Sequence, residues 1–170
     1  MVGFFEPGSY PWASRGIPVT DGYLQLPEDW DHLGEYYEKM VERVPVLADA
    51  GIKLHFCGPE SFTPDGQYHL GEAPNLQNFF VAAGFNSVGF LSGPGAGSVL
   101  ADWIVDGRSP VDLPETDLGR VQRHETNRRF LEERVVESLD LAYEIHWPFQ
   151  QRSTARALRT SPLYELTSHA

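Results

Sequence analysis

Apolar side chains recur along this chain with different periods, and each period predicts a different element. Leu33, Tyr36, Tyr37, Met40, Val41 and Val44 return at intervals of three and four. That spacing puts them on one buried face of a helix, which Asp29 or Asp31 is placed to cap. Pro45 has no amide to donate, so the helix ends or kinks near Arg43 and a second short turn runs on to Gly51. From Ile52 the interval shortens to two: Ile52, Leu54 and Phe56 alternate with Lys53, His55 and Cys57, the pattern of a half-buried antiparallel strand. Gly58-Pro59 ends it, and Pro64-Asp65-Gly66 turns the chain in a hairpin-like return towards Tyr68 and Leu70. At the N-terminus, Gly3-Phe4-Phe5 reads as the end of a strand that Pro7-Gly8 breaks.

Further along, Phe79-Phe80-Val81-Ala82-Ala83 shows no alternation, which predicts a strand covered on both faces, as in a parallel sheet. Glycines at 84, 89, 93, 95 and 97 predict a loop. Ala96, Val99, Leu100, Trp103 and Ile104 then mark a helix that starts near Gly95 and stops at Gly107. Beyond Pro110 and Pro114, the repeat Leu131, Val135, Leu139, Tyr143 predicts a helix from about Glu125 to Tyr143. Arg128, Arg129, Glu132, Glu133 and Glu137 form its solvated face. After His146-Trp147-Pro148 the period is lost, and Arg152, Arg156 and Arg159 lead into Ser161-Pro162-Leu163-Tyr164, a linker towards a further domain.

Composition narrows the partners. The 170 residues carry a net charge of -11, which repels phosphate backbones and anionic lipid surfaces. Nucleic acid and membrane are therefore not expected partners. No apolar run approaches the ~20 residues of a spanning helix, and the start of the chain does not read as a secretory leader. Cys57 is the single cysteine, which excludes an internal disulfide and suits a reducing compartment. The histidines at 32, 55, 69, 124, 146 and 169 never share a close helical spacing, so no metal site is expected.

The run from Ala82 to Gly97 carries the strongest chemical signal. Glycines let backbone approach a ligand, and the start of a helix turns free amides and a positive dipole end towards it, which suits an anionic ring or a phosphate. The same glycines also suit a helix packed tightly on a sheet, and spacing alone leaves the two readings even. Cys57 reads as a small buried hydrophobe. His55 and His69 read as solvated or capped side chains, and the pairs Phe4-Phe5, Tyr36-Tyr37 and Phe79-Phe80 as packing. Glu60 and Asp65 sit in a turn-rich segment and form no evident acid-base pair.

Longer strings decide more. Gly58-Pro59-Glu60-Ser61-Phe62-Thr63-Pro64-Asp65-Gly66 and Phe80-Val81-Ala82-Ala83-Gly84-Phe85-Asn86-Ser87-Val88-Gly89, set apart by Leu70-Gly71-Glu72-Ala73-Pro74, resemble the sarcosine and dimethylglycine dehydrogenase branch of the D-amino-acid-oxidase-like flavoproteins. Leu26 to His32, Ala101 to Gly107 and Leu158 to Tyr164 extend the likeness over almost the whole chain.

The resemblance implies an α+β piece of a two-domain FAD-dependent oxidoreductase. Residues 1–70 belong to the substrate domain, with antiparallel strands. Residues 71–112 supply the last strand and helix of the FAD domain, and 113–170 a helix and linker leading on. The dinucleotide-binding glycine motif, and in many members a histidine bonded to flavin, belong to a preceding half.

It further implies that Gly84, Phe85, Asn86, Ser87, Val88, Gly89, Gly93 and Gly95 contact FAD, the loop lying at the flavin ring and the helix start near its pyrimidine end. A small-molecule amine such as sarcosine or dimethylglycine is the implied substrate. Electron-transfer flavoprotein or folate is a partner open to the full-length protein, located in the cytoplasm of a bacterium or the mitochondrial matrix of a eukaryote. Where related oxidases carry an arginine for the substrate carboxylate, this chain has Gly58, and no catalytic residue is assigned. A regulatory subunit of the pyruvate dehydrogenase phosphatase resembles the same family and supplies the alternative, a non-catalytic paralogue.

Overall fold

The computed structural model describes residues 2–3, 8–19, 22–142, 144–145, 148, 151–158 and 160–167. Phe4 and Phe5, with the strand end expected there, lie outside them, as does Tyr143. The chain divides into two compact units, one of residues 18–59 and the other of residues 1–17 with 60–170.

In the 18–59 unit, helix α1 spans Trp30–Arg43. Asp29 caps it by accepting the His32 amide at 3.0 Å, and Pro45 opens a short 3-10 turn, Pro45–Ala48. The Tyr37 hydroxyl donates to the Leu47 carbonyl at 2.7 Å and ties that turn to the helix. The apolar stripe of α1 is half-buried rather than buried, from Leu33 to Val41. The strand expected at Ile52–Phe56 does not form. Only a bridge between Leu26 and Cys57 is made, and Ile52, Leu54 and Phe56 are 49%, 71% and 64% exposed. An alternating stripe becomes a strand when a neighbour pairs with its amides and covers its apolar face, and the described residues provide no such neighbour.

The larger unit is built on a two-stranded antiparallel sheet, β1 (His69–Glu72) with β2 (Phe80–Ala83), in the register Leu70 to Ala82 and Gly71 to Val81. This corrects the parallel, doubly covered strand expected at 79–83: Ala82 and Ala83 are exposed, and β2 runs against β1. The connection 73–79 is a tight turn, closed by the Ala73 amide on the Phe79 carbonyl at 2.8 Å. A parallel pair needs a crossover of about a dozen residues or more, and this connection is too short for one. Asn78, at φ 60°, tightens the turn by donating its amide to Glu72 at 2.6 Å.

Helix α2 (Gly89–Asp106) packs on this sheet through Ala96, Val99, Leu100 and Trp103 and ends at Gly107 in the left-handed conformation. The Trp103 ring stands edge-on to Phe80, with centroids 6.2 Å apart, and lies over Gly71, where a Cβ would come within 2.8 Å of it. The helix begins six residues earlier than expected, so Gly89, Gly93 and Pro94 are helical where a loop is expected. Each glycine opposes helix by roughly 1 kcal/mol relative to alanine. Burial of the Ala96–Trp103 stripe on the sheet outweighs that local preference.

Helix α3 spans Arg128–Asp140. Asn127 caps it by accepting the Arg129 and Phe130 amides, and the 3-10 turn Arg123–Thr126 precedes it. Phe130 and Ser138 are its buried residues, while the expected Leu131, Val135 and Leu139 are half-buried, as is Arg134. Ser138 donates to the Pro64 carbonyl at 2.8 Å, and Arg134 lies over the Phe130 ring. Glu137 is not on a solvated face either. Its carboxylate accepts the Thr154 amide at 3.1 Å and the Ser153 hydroxyl at 3.0 Å, together with the Ser153 amide and the Thr154 hydroxyl.

Residues 151–156 are therefore docked on α3, where the sequence reads as a free linker. Further on, the chain forms a 3-10 turn at Arg156–Leu158 and the short helix α4, Tyr164–Thr167. The lost periodicity of this stretch reflects polar docking, which leaves no hydrophobic stripe to read.

Burial alone would raise the Glu137 carboxyl, but the hydrogen bonds from Thr154 and Ser153 dominate and lower it from 4.5 to about 2. A depressed carboxylate stabilises the docked state above its unfolded value, and that contribution is lost as the pH falls through the folded value. The expected outcome is a Glu137 titration midpoint near 2, with the 151–156 segment released from α3 as the pH drops from 4.5 towards 2. A carboxyl-carbon NMR titration checks it, and a midpoint at the ordinary 4.5 contradicts the docking.

Candidate functional site

Residues 84–88 lie between β2 and α2, with Gly89 opening the helix, and the shape of this 84–89 stretch follows from three residues in the left-handed region: Gly84 at φ 68°, Asn86 at 48° and Ser87 at 67°. Gly84 has no alternative, since a Cβ there would stand 2.6 Å from the Thr63 methyl. Asparagine tolerates this conformation better than most residues, and the buried Asn86 uses its side chain to hold it. Its Oδ1 accepts the Thr63 amide at 2.8 Å, its Nδ2 donates to the Gly84 carbonyl at 2.6 Å, and its own amide donates to the Ser61 carbonyl at 3.1 Å. Beside it, Ser87 donates to Glu60 at 2.8 Å, and Phe85 stacks on Tyr68 with centroids 4.9 Å apart. The two strings singled out in the sequence, 58–66 and 80–89, thus meet in a clasp between Glu60–Thr63 and Gly84–Ser87.

The Pro64-Asp65-Gly66 turn is held from three sides. Asp65 accepts the Gln67 amide at 3.0 Å and forms an ion pair with Arg120 at 2.7 Å. Arg120 also donates to the Gln67 carbonyl at 2.7 Å and the Asp117 carbonyl at 3.0 Å, and its Nη1 stands 3.1 Å from His69 Nδ1. Burial opposes ionisation of Asp65, but hydrogen bonds from Arg120, Gln67 and Thr63 hold its carboxyl below the ordinary value. His69 is lowered by burial and by the Arg120 charge, so its neutral form is favoured. Sequence reasoning missed Arg120, because its partners lie about fifty residues upstream and no local pattern marks it.

Beyond the clasp, the first turn of α2 is open. Val88 caps it without any side-chain hydrogen bond, and Phe90 and Leu91 project into solvent, 102% and 85% exposed. Cβ atoms built at Gly93, Gly95 or Gly97 would meet nothing within 4 Å, so packing within the described residues does not demand glycine there. A helix start without a side-chain cap fits a partly anionic group brought against it. Of the eight residues expected at a cofactor, Gly84 to Gly89 form one loop with a side-chain role for Asn86 in holding it, while Gly93 and Gly95 lie on the helix that follows. Gly58 belongs to the other unit, where a side chain would start 2.9 Å from the Phe56 ring. Among the described residues no group of three or more His, Cys, Asp or Glu side chains could hold a metal ion, and no helix is long and apolar enough to cross a membrane.

Comparison with known proteins gives two family matches. Residues 6–103 match the FAD dependent oxidoreductase family, and residues 106–161 the FAD dependent oxidoreductase central domain. Over 96% of its length the chain is 40% identical to 4-methylaminobutanoate oxidase (formaldehyde-forming) of Paenarthrobacter nicotinovorans, and 39% identical to mitochondrial sarcosine dehydrogenase of Mus musculus. It is 43% identical over 97% of its length to the mitochondrial pyruvate dehydrogenase phosphatase regulatory subunit of Mus musculus. The chain spans about a fifth of each relative: 20%, 18% and 19%.

Proposed function

The chain belongs to the FAD-dependent oxidoreductase family, and we propose that it forms part of an enzyme that oxidises an N-methylated amine such as sarcosine or dimethylglycine. The observation that carries this reading is the clasped loop 84–89 leading into an uncapped helix start. When bound, FAD supplies an acceptor for the hydride that leaves the carbon beside the amine nitrogen.

Gly84, Phe85, Asn86, Ser87, Val88 and Gly89 would hold the ring side of that cofactor by backbone, with Gly93 and Gly95 on the turns of α2 that follow. The left-handed backbone at Gly84 lets the Thr63 methyl pack against it, which fixes the loop that would face the cofactor. The free amides of the first turn of α2 stabilise negative charge in fixed positions, so no reorganisation is needed when charge arrives. The Asn86 side chain is engaged with Thr63 and Gly84 and its amide with Ser61, so its role at the cofactor is to hold the loop in shape.

The division proposed with this reading assigns residues 1–70 to the substrate domain, 71–112 to the FAD domain and 113–170 to a helix and a segment leading on. The apolar residues exposed at 52–56 and on α2 call for neighbours outside the described residues, as a piece of a larger protein would, while residues 60–70 lie in the same compact unit as 71–112. The 43% identity to the phosphatase regulatory subunit supports a second reading, a non-catalytic paralogue.

One experiment separates the two. The natural full-length protein that carries this chain is expected to be purified yellow and to be bleached by sarcosine, dimethylglycine or 4-methylaminobutanoate without oxygen. Bound flavin that no amine in a broad panel reduces supports the paralogue instead. The 170-residue chain on its own is expected neither to bind FAD tightly nor to oxidise an amine, because an exposed helix start contributes only about 0.3–1 kcal/mol. Flavin fluorescence and thermal unfolding followed together check this, and micromolar binding with a cooperative transition contradicts it.

A further inference from the structure

A cleft of about 740 Å3 opens between the Pro64-Asp65-Gly66 turn, the end of loop 84–89, the second half of α3 and the docked segment 151–156. In a chain of net charge -11 its walls are positive: Arg134, Arg152 and Arg156 line it. Asp65 is the single carboxylate among the lining residues, and it is already paired with Arg120. Arg134 is engaged with Thr154 and lies 3.7 Å from Glu137. The other two differ.

Arg152 donates one terminal N–H to the Asp65 carbonyl at 3.1 Å, and its Nε is buried with no acceptor. Among the described residues Arg156 donates to the Arg152 carbonyl at 2.7 Å and to Gln151 at 3.4 Å. Neither has a carboxylate within ion-pair distance among the described residues. Gly66 leaves room at the Arg152 guanidinium, since a Cβ there would stand 3.2 Å from it. Phe62, Val88 and Leu141 give the same cleft an apolar lining.

We propose that this cleft binds a small organic anion, its carboxylate or phosphate group held by Arg152 and Arg156 and its apolar body resting on Phe62, Val88 and Leu141. Guanidinium presents a planar fork of donors that matches both oxyanions. The volume is that of a small-molecule site, and its lining is mostly polar, which suits an anion with a small apolar body. The site stands on the tail docked by Glu137 and shares Val88 with the loop 84–89.

The test is calorimetric titration of the natural full-length protein with inorganic phosphate and, separately, with butyrate. At least one of the two is expected to bind saturably, phosphate alone marking a phosphate ligand and butyrate alone a carboxylate. Arg152→Gln or Arg156→Gln is expected to weaken that binding roughly tenfold or more. Arg156 is exposed, so its replacement leaves the fold intact even where loss of Arg152 disturbs it. Arg129→Gln removes the same charge from the exposed pair with Glu133 and is expected to change nothing. Absence of saturable binding for both anions, or equal weakening by all three variants, overturns the proposal.

Discussion

The hydrogen bond from the Thr63 amide to Asn86 Oδ1, 2.8 Å long and buried, is the contact on which the larger unit depends. Thr63 is among the most buried polar residues described, and water cannot replace a lost partner for its amide. Asn86 reaches it only because its backbone is left-handed, and that conformation in turn aims the chain from β2 into α2. One side chain thus fixes the turn at 63–66, the loop at 84–89 and the origin of the helix, over a sequence separation of 23 residues. Gly84 completes the arrangement, since the Thr63 methyl occupies the place where its Cβ would be.

Around this clasp the packing is largely polar. Arg120 ties the 65–67 turn to the 117–120 turn, Ser138 ties α3 to Pro64, and Glu137 ties residues 153–154 to α3. The buried apolar residues described are few, namely Leu70, Ala96 and Phe130, and large apolar side chains on α2 and at 52–56 face outward. A fold with this balance is specified by hydrogen bonds at its junctions, while its exposed apolar surface suits a piece of a larger flavoprotein.

Legibility in the sequence followed the range of the forces involved. Helix α1, its Asp29 cap and its stop before Pro45 were readable because capping and proline chemistry act within a few residues. The two strings that meet in the clasp were visible as strings, whereas their meeting rests on Asn86 accepting a backbone amide far away, which no period encodes. The α2 start was misplaced because glycine propensity is local and the burial of Trp103 over Gly71 is not. Phe130 and Ser138 bury on α3 outside the expected repeat because Ser138 packs through its hydroxyl on Pro64, and residues 153–154 dock without an apolar pattern because Glu137 and Arg134 hold them. At 52–56 the alternation was real but the described residues supply no strand to pair with it.

The account stands most directly on the free energy of unfolding of Asn86→Ala measured by denaturant titration in the natural full-length protein. Loss of the Thr63 acceptor is expected to destabilise the larger unit by about 1–3 kcal/mol, the cost of a buried donor left unpaired. Flavin is expected to be lost with it as loop 84–89 relaxes. Unchanged stability with full flavin content would show that the Thr63–Asn86 bond does not hold the loop, and would contradict the account.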